Sequence, residues 1–263
     1  MKASINYAKR IQDADLPLSK HIKSQLPDSF VFFQPRDVVS GDFYWHYNPM
    51  GSGIASNEIQ QDHKNNQVLL AAIDCTGHGV PGAFMSMIAF NLLNKIVVKG
   101  FLDPQEILYK LNKEIRIALK QQETNNLDGM DMAICAIDKK KQLVTFSGAK
   151  NPLVYIKNNK LHYIKGSKYP IGGAQTKENV KYSSHEIPFE EGDVFYMYSD
   201  GVIDQFGGDD GRKFMSKRFK NLLLKNHHLP MKEQKSLIEK AMSDYMGTTH
   251  KQLDDMLVIG FKM

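Results

Sequence analysis

The order of apolar and polar positions along the chain predicts a mixture of helices and strands. Residues 1–16 carry Ile5, Ala8 and Ile11 at helical spacing and stop before Pro17, which predicts a helix. After this helix, short apolar or aromatic runs alternate with turn residues, as is typical of strands. The predicted strands are 30–33, 42–47, 68–73, 132–137, 143–147, 153–156, 161–164, 180–187, 194–198 and 256–261.

Helical signals separate these strands at two places. Pro81 can begin a helix with Phe84 on its buried face, and Asp103 caps a second helix in which Pro104 takes the first position. Helical patterns return at 213–226 and 231–246. The order is strands, two helices, many strands, two helices and a last strand, which predicts an α+β fold of antiparallel sheets with helices on their outer faces.

The chain divides into two unequal parts. The core domain is expected to begin near Leu26, so residues 1–25 form an N-terminal linker or regulatory segment and residues 26–263 form one domain. Residues 48–66 are polar and unusually long for a connection in a compact domain. We expect this loop either to be mobile or to cover a site.

Composition excludes several classes of protein. The 263 residues carry a formal net charge of +5, with basic and acidic residues mixed along the chain, which does not suggest a nucleic-acid binder. The basic run Lys139 to Lys141 reads as a hairpin tip. Cys75 and Cys135 lie in apolar runs and fit reduced thiols. Without a run of about 18–20 consecutive apolar residues, the expectation is a soluble, cytoplasmic protein with neither nucleic acid nor membrane as a partner.

The most informative segment runs from Asp74 to Gly79, directly after the apolar run 68–73. An Asp in a glycine-rich turn is by itself more often an Asx-turn than a metal ligand. The design recurs, however, at three other strand ends. These are Asp42 after Gly41, Asp200 before Gly201, and the pair Asp254 and Asp255 before the last apolar run. Together they predict one cation site assembled from distant segments.

Carboxylates are hard oxygen ligands, and a site made only of them selects Mg²⁺ or Mn²⁺ over zinc. A single magnesium needs only one or two protein carboxylates, so four strand-end sites favour two ions. Two ions that share a water can lower its pKa and clamp a phosphoryl group. Phosphate-ester hydrolysis is therefore the reaction class that this pattern best supports.

These motifs, in this order, resemble the metal motifs of the PPM family, the Mg²⁺/Mn²⁺-dependent protein serine/threonine phosphatases of type 2C. The segments 147–152 and 170–173 are similar to two further motifs of its bacterial SpoIIE-like branch. The resemblance covers residues 26–263. It implies two packed antiparallel β-sheets flanked by helices, a metal cleft at one end, and hydrolysis of phosphoserine or phosphothreonine on a regulatory protein by a hydroxide that bridges two ions.

The resemblance also implies a role for each motif residue. Asp74 would bridge both ions and the carbonyl of Cys75 would hold one of them. Asp42 would bind one ion, directly or through water, and Asp200 and Asp254 would complete the other. Asp255 is a second choice to Asp254.

Three assignments stay open. His78 is either the general acid or a structural residue that bonds to its own turn. Arg36 is either a phosphate ligand, to which its forked guanidinium is suited, or a solvated loop residue. Asp128 and Asp131 either contact a third metal or form a turn followed by a strand.

The helix 1–16 resembles the linker that joins sensor modules to SpoIIE-like phosphatase domains. The implied partners are an upstream sensor domain, a phosphorylated regulatory protein such as an anti-sigma-factor antagonist, and a second copy of the chain paired through this helix. The alternative is a helix that only packs on its own domain. Two rival functions also remain: a catalytically weak module that binds phosphoproteins, and a small-molecule phosphohydrolase.

Overall fold

The structure is a computed structural model that describes residues 2–48, 67–173 and 179–263. Apart from Asn48, the long polar loop predicted at 48–66 lies outside the described residues. The elements in chain order are α1 (Lys2–Asp15), α2 (Ser19–Gln25), β1 (Ser29–Gln34), β2 (Phe43–Tyr47), β3 (Gln67–Cys75), α3 (Gly79–Val98), α4 (Pro104–Ala118), β4 (Gly129–Asp138), β5 (Leu143–Ala149), β6 (Leu153–Lys157), β7 (Lys160–Ile164), β8 (Ile171–Gly172), β9 (Ser184–Pro188), β10 (Val194–Tyr198), α5 (Asp200–Asp204), β11 (Phe206–Gly207), β12 (Arg212–Lys213), α6 (Ser216–Asn226), α7 (Met231–Met246) and β13 (Met256–Lys262).

Two antiparallel sheets form the centre of the fold. One has the strand order β1-β13-β10-β6-β7, and the other has the order β2-β3-β4-β5-β9 with β8 paired to β4. Alternate side chains of both sheets meet in a shared apolar core, for example Leu70 of β3, Cys135 of β4, Met197 of β10 and Ile259 of β13. The predicted α+β fold of packed antiparallel sheets is confirmed.

Helices cover the outer faces of both sheets. Leu93 of α3 and Leu111 of α4 pack with Leu69 and Ile73 of β3, and α6 and α7 pack on the outer face of the sheet that contains β13. By length and composition α3 is also the one described helix that could cross a membrane, although Ser86 and other polar residues interrupt its apolar positions. In this structure 44% of the apolar window is buried, and α3 contacts α4, β2 and β3.

Two predicted elements begin three or more residues later than predicted. The strand predicted at 180–187 begins only at Ser184, because the carbonyl of Tyr182 accepts a hydrogen bond from Gln105 of α4 and its hydroxyl donates to Pro170. The helix predicted at 213–226 begins at Ser216, since residues 212–213 pair with β11 instead. The short helices α2 and α5 carry no periodic signal of their own and were not predicted.

The buried face of α3 differs from the prediction. Phe84 is 65% exposed, while Ala89 and Leu93 are buried. Helix α3 is apolar on most of its surface, so periodicity does not identify its inner face. The inner face of α3 is instead identified by the close approach of its first turn to neighbouring backbone. A Cβ at Gly82 would collide with the carbonyl oxygen of Gly77.

Candidate active site

Close backbone contacts bring two of the carboxylate turns together. A Cβ at Gly41 would collide with the same carbonyl oxygen of Gly77 that Gly82 approaches. Glycine at positions 41 and 82 therefore allows the turn before Asp42 and the start of α3 to pack directly on the turn after Asp74. This packing explains why glycines accompany the carboxylates in the sequence.

The other carboxylates reach the same place from both sheets. Asp74 lies near the end of β3, directly opposite Asp131 of β4. Asp200 follows β10 and Asp254 precedes β13, and these two strands are neighbours in the other sheet. Asp74, Asp131, Asp200 and Asp254 line one cavity of about 370 Å³, and Asp42 is buried behind it at 2% exposure. The predicted cluster of four strand-end carboxylates is thus assembled in space.

Burial and mutual repulsion act on this cluster in the absence of cations. Desolvation, followed by the charge of Asp74, raises the pKa of Asp42 well above its usual range. Desolvation and the charge of Asp200 do the same to the pKa of Asp74, and desolvation raises the pKa of Asp200. Desolvation also raises the pKa of Asp131 to about 6. Positive charge placed among these groups would relieve the repulsion.

An unpartnered carboxylate oxygen is a second observation that indicates a site for hard cations. The Oδ2 atom of Asp42 is buried and has no hydrogen-bond partner, which is costly for a carboxylate oxygen unless a ligand binds there. Within the described ranges, no three His, Cys, Asp or Glu side chains already surround an ion-sized point. Mg²⁺ commonly keeps several of its waters, so ligands spread around a cleft suit an ion held partly through water.

Asp255 has a different task from its neighbour Asp254. It is 1% exposed, and its oxygens accept hydrogen bonds from the backbone amides of Arg36 (2.7 Å), Gly41 (2.8 Å) and Asp42 (3.4 Å). The carboxylate therefore fastens the loop that carries Asp42. The sequence ranked Asp255 below Asp254 as a metal ligand but did not reveal this use.

Arg36 and His78 lie outside the residues that line the cavity. The Arg36 guanidinium donates to the carbonyl of Leu253 at 2.8 Å. His78 stands at the N-terminal cap of α3, is partly exposed, and its Nδ1 lies 2.7 Å from an oxygen of Asp37. His78 is thus bonded to Asp37, 41 positions away, and not to its own turn, and the Arg36 side chain is bonded to backbone. The catalytic role of His78 and the phosphate-binding role of Arg36 stay predictions. Cys75 does line the cavity, and burial raises the pKa of its thiol.

The N-terminal helix contacts the site through a residue that the apolar pattern did not single out. The Gln12 amide donates to the carbonyl of Ser40 at 2.6 Å and to Ser86 Oγ at 2.9 Å, and it accepts from Ser40 N at 3.0 Å. Gln12 is buried, whereas Ile11 of the predicted apolar stripe is 43% exposed. Helix α1 is thus tied to the loop that precedes Asp42.

Comparison with known proteins places the chain among phosphatase domains. The profile of the family described as Stage II sporulation protein E (SpoIIE) matches residues 64–263. The SiaA-PP2C domain of Pseudomonas aeruginosa is 31% identical, with a TM-score of 0.84, over 100% of this chain and 96% of that chain. No curated protein sequence matches significantly.

Two more distant structures share the fold. The PP2C phosphatase domain of the cell fate determinant SpoIIE from Bacillus subtilis, with a fragment of its regulatory domain, is 19% identical with a TM-score of 0.65, over 89% of this chain and 62% of that chain. RsbX in complex with magnesium is 16% identical with a TM-score of 0.57, over 89% of this chain and 94% of that chain.

Proposed function

Since the chain belongs to the SpoIIE family of PP2C-type serine/threonine phosphatases, we propose that it hydrolyses phosphoserine or phosphothreonine on a regulatory protein with the help of two Mg²⁺ or Mn²⁺ ions. The observation that carries the proposal is the buried carboxylate cluster with its unpartnered Asp42 oxygen. When bound, such ions lower the pKa of a shared water and neutralise charge on the phosphoryl group.

The chain supplies the ligands and their positions. Asp74 interacts electrostatically with both Asp42 and Asp200, which suits a ligand shared by two ions. Asp254 borders the same cavity beside Asp200, and the Cys75 carbonyl lies at the end of β3. We propose Asp42, Asp74 and the Cys75 carbonyl for one ion, and Asp74, Asp200 and Asp254 for the other.

The proposed partner is a phosphorylated regulatory protein. The B. subtilis relative is described as a cell fate determinant with a regulatory domain, and the family resemblance implies signalling partners, including an upstream sensor domain. Both cysteines are free and buried, which suits a reducing compartment such as the bacterial cytoplasm.

The two rival functions are separable by experiment. A phosphoprotein-binding module without turnover has no need of four converging carboxylates, which favours catalysis. A small-molecule phosphohydrolase would use the same chemistry. Comparing turnover of p-nitrophenyl phosphate with turnover of phosphopeptides distinguishes the three: a module hydrolyses neither, a small-molecule enzyme prefers the former, and a protein phosphatase prefers the latter.

Metal removal is the direct test of the proposal. We expect phosphopeptide hydrolysis to require millimolar-range Mn²⁺ or Mg²⁺ and to vanish in EDTA, because oxygen ligands hold these ions only moderately. Phosphate release is measured before chelation, after it, and after Mn²⁺ is restored in excess. Hydrolysis that survives exhaustive chelation would contradict the two-ion proposal.

We further propose that residues 1–25 regulate the site through the contact of Gln12 with Ser40. Deleting residues 1–16 should raise the Mn²⁺ concentration that gives half-maximal activity, because the loop before Asp42 loses its two buried hydrogen bonds to the Gln12 amide. Gln12→Leu should act in the same direction, while Asn6→Leu, at an exposed position of the same helix, should not.

Light scattering on the full and shortened chains tests the proposed pairing of two copies through α1. If the shortened chain matches the full one in both metal requirement and oligomeric state, α1 only packs on its own domain.

A further inference from the structure

We propose that the side chain of Lys150 binds the phosphoryl group of the substrate in the carboxylate-lined cavity. The inference rests on the proposed phosphatase function and adds a residue for which the sequence analysis gave no role. Lys150 follows β5 and is the one cationic side chain among the described residues that line the cavity. The other charged residues there are Asp74, Asp131, Asp200 and Asp254.

The backbone holds Lys150 in an unusual conformation. Its φ is +59°, in the left-handed region that residues other than glycine seldom adopt. The amide of Lys150 donates to the carbonyl of Ser167 at 2.8 Å, and the amide of Ser167 donates to the carbonyl of Gly148 at 2.7 Å. Such conformations persist when the surroundings impose them, and they occur preferentially at functional sites.

Two glycines fit around this turn. A Cβ at Gly148 would collide with the carbonyl oxygen of Asn151, and a Cβ at Gly166 would lie 2.7 Å from the carbonyl carbon of Lys150. The fold therefore packs backbone on both sides of the turn, which fixes where the Lys150 side chain leaves the chain. A solvated surface lysine needs no such support.

The hydrogen-bond donors of the Lys150 ammonium group have no partner among the described residues and are available to a ligand. Its Nζ lies 3.9 Å from Asp131 Oδ2, which permits attraction but is too long for a hydrogen bond. The described residues provide no hydrogen-bond acceptor for this Nζ, and the side chain is 42% exposed. In contrast, Lys213 is bonded to Asp204 at 2.8 Å, and the Arg36 guanidinium is bonded to Leu253.

A phosphate monoester carries up to two negative charges and would enter a cavity whose own side chains are mostly negative. A lysine is a compact charge with three donors, which suits contact with a phosphoryl oxygen. The same positive charge repels metal ions. Replacing Lys150 should therefore weaken phosphate binding while leaving metal binding unchanged or tighter, and a merely structural role would not produce this opposite pair of effects.

The test compares Lys150→Met and Lys150→Arg with the wild type and with Lys95→Met, which removes a paired lysine outside the site. In saturating Mg²⁺, Lys150→Met should raise both the inhibition constant and the calorimetric dissociation constant of inorganic phosphate by ~10-fold or more and lower kcat/KM for a phosphopeptide by ~10- to 100-fold. Lys150→Arg should recover most of the loss. Lys95→Met should match the wild type.

A double-variant comparison separates phosphate binding from a role as counter-ion to Asp131. Lys150→Met should still weaken phosphate binding ~10-fold when Asp131 is already Asn. Unchanged phosphate binding in Lys150→Met, or a defect that disappears in the Asp131→Asn background, overturns the inference. A wild type that hydrolyses no phosphopeptide in saturating metal overturns the proposed function instead, and the calorimetric phosphate measurement then still decides the Lys150 assignment.

Discussion

Replacing Asp74 with Asn is expected to lower phosphopeptide turnover by at least ~100-fold, because the shared ligand of the proposed two-ion site loses its charge. Circular dichroism should show an unchanged fold, since Asn has nearly the same shape. Glu114→Gln serves as the control, because Glu114 is paired with Lys95 away from the cavity. If Asp74→Asn keeps more than about a tenth of wild-type turnover, Asp74 is not the shared ligand.

The same variant should be at least as stable as the wild type once metal is removed. The pKa of Asp74 is raised in the folded protein by burial and by the charge of Asp200. A carboxyl group whose folded pKa is raised costs stability when it is ionised, at pH values above its unfolded pKa. Asn removes that cost, so the melting temperature in EDTA at pH 7.5 should be equal or higher. A clear decrease would show that the ionised Asp74 is stabilised by contacts other than metal.

Replacing Asp255 with Asn is expected to destabilise the protein by about 3 kcal/mol and to abolish activity as well. The Asn amide group would present a donor where the carboxylate now accepts from the amides of Arg36 and Gly41. The buried loop would then lose a charged acceptor and face an additional donor, which is among the costly changes in a protein interior.

Asp254→Asn is the matched control for Asp255→Asn, because the two residues are adjacent. Asp254 lines the cavity, and its Oδ1 accepts from the Asp255 amide, which an Asn oxygen can also do. Urea unfolding should therefore find Asp254→Asn close to wild type in stability but low in turnover. Equal stability of the two variants would contradict the division of labour between these neighbours.

The sequence predicted what depends on local pattern and on motif order. The strands 194–198 and 256–261 were predictable because each is a short apolar run between turn residues, and they became β10 and β13. The sequence also predicted that Asp42, Asp74, Asp200 and Asp254 lie near one another, since each follows or precedes a strand next to a glycine or a second carboxylate. Both signals lie within a few residues of the feature they predict.

What the sequence left hidden depends on polar contacts between distant segments. Gln12 is buried and bonds to the backbone of a residue 28 positions away, and Asp255 is buried and bonds to the backbone of a residue 214 positions away. No local sequence pattern encodes such distant partners. Lys150 lay within a recognised motif, but its position among four carboxylates follows from the packing of two sheets. Phe84 was assigned to the wrong face because α3 is apolar nearly all round.

The bond between Asp255 and the Asp42 loop has a consequence for the order in which a newly made chain becomes active. The two residues stand 213 positions apart, and β13, which follows Asp255, lies between β1 and β10 in the sheet. A chain that is still emerging from the ribosome can pair β2 with β3, yet the Asp42 loop lacks its hydrogen bonds to Asp255 until β13 has been synthesised and inserted. Incomplete translation products and fragments that end before residue 255 should therefore lack hydrolytic activity.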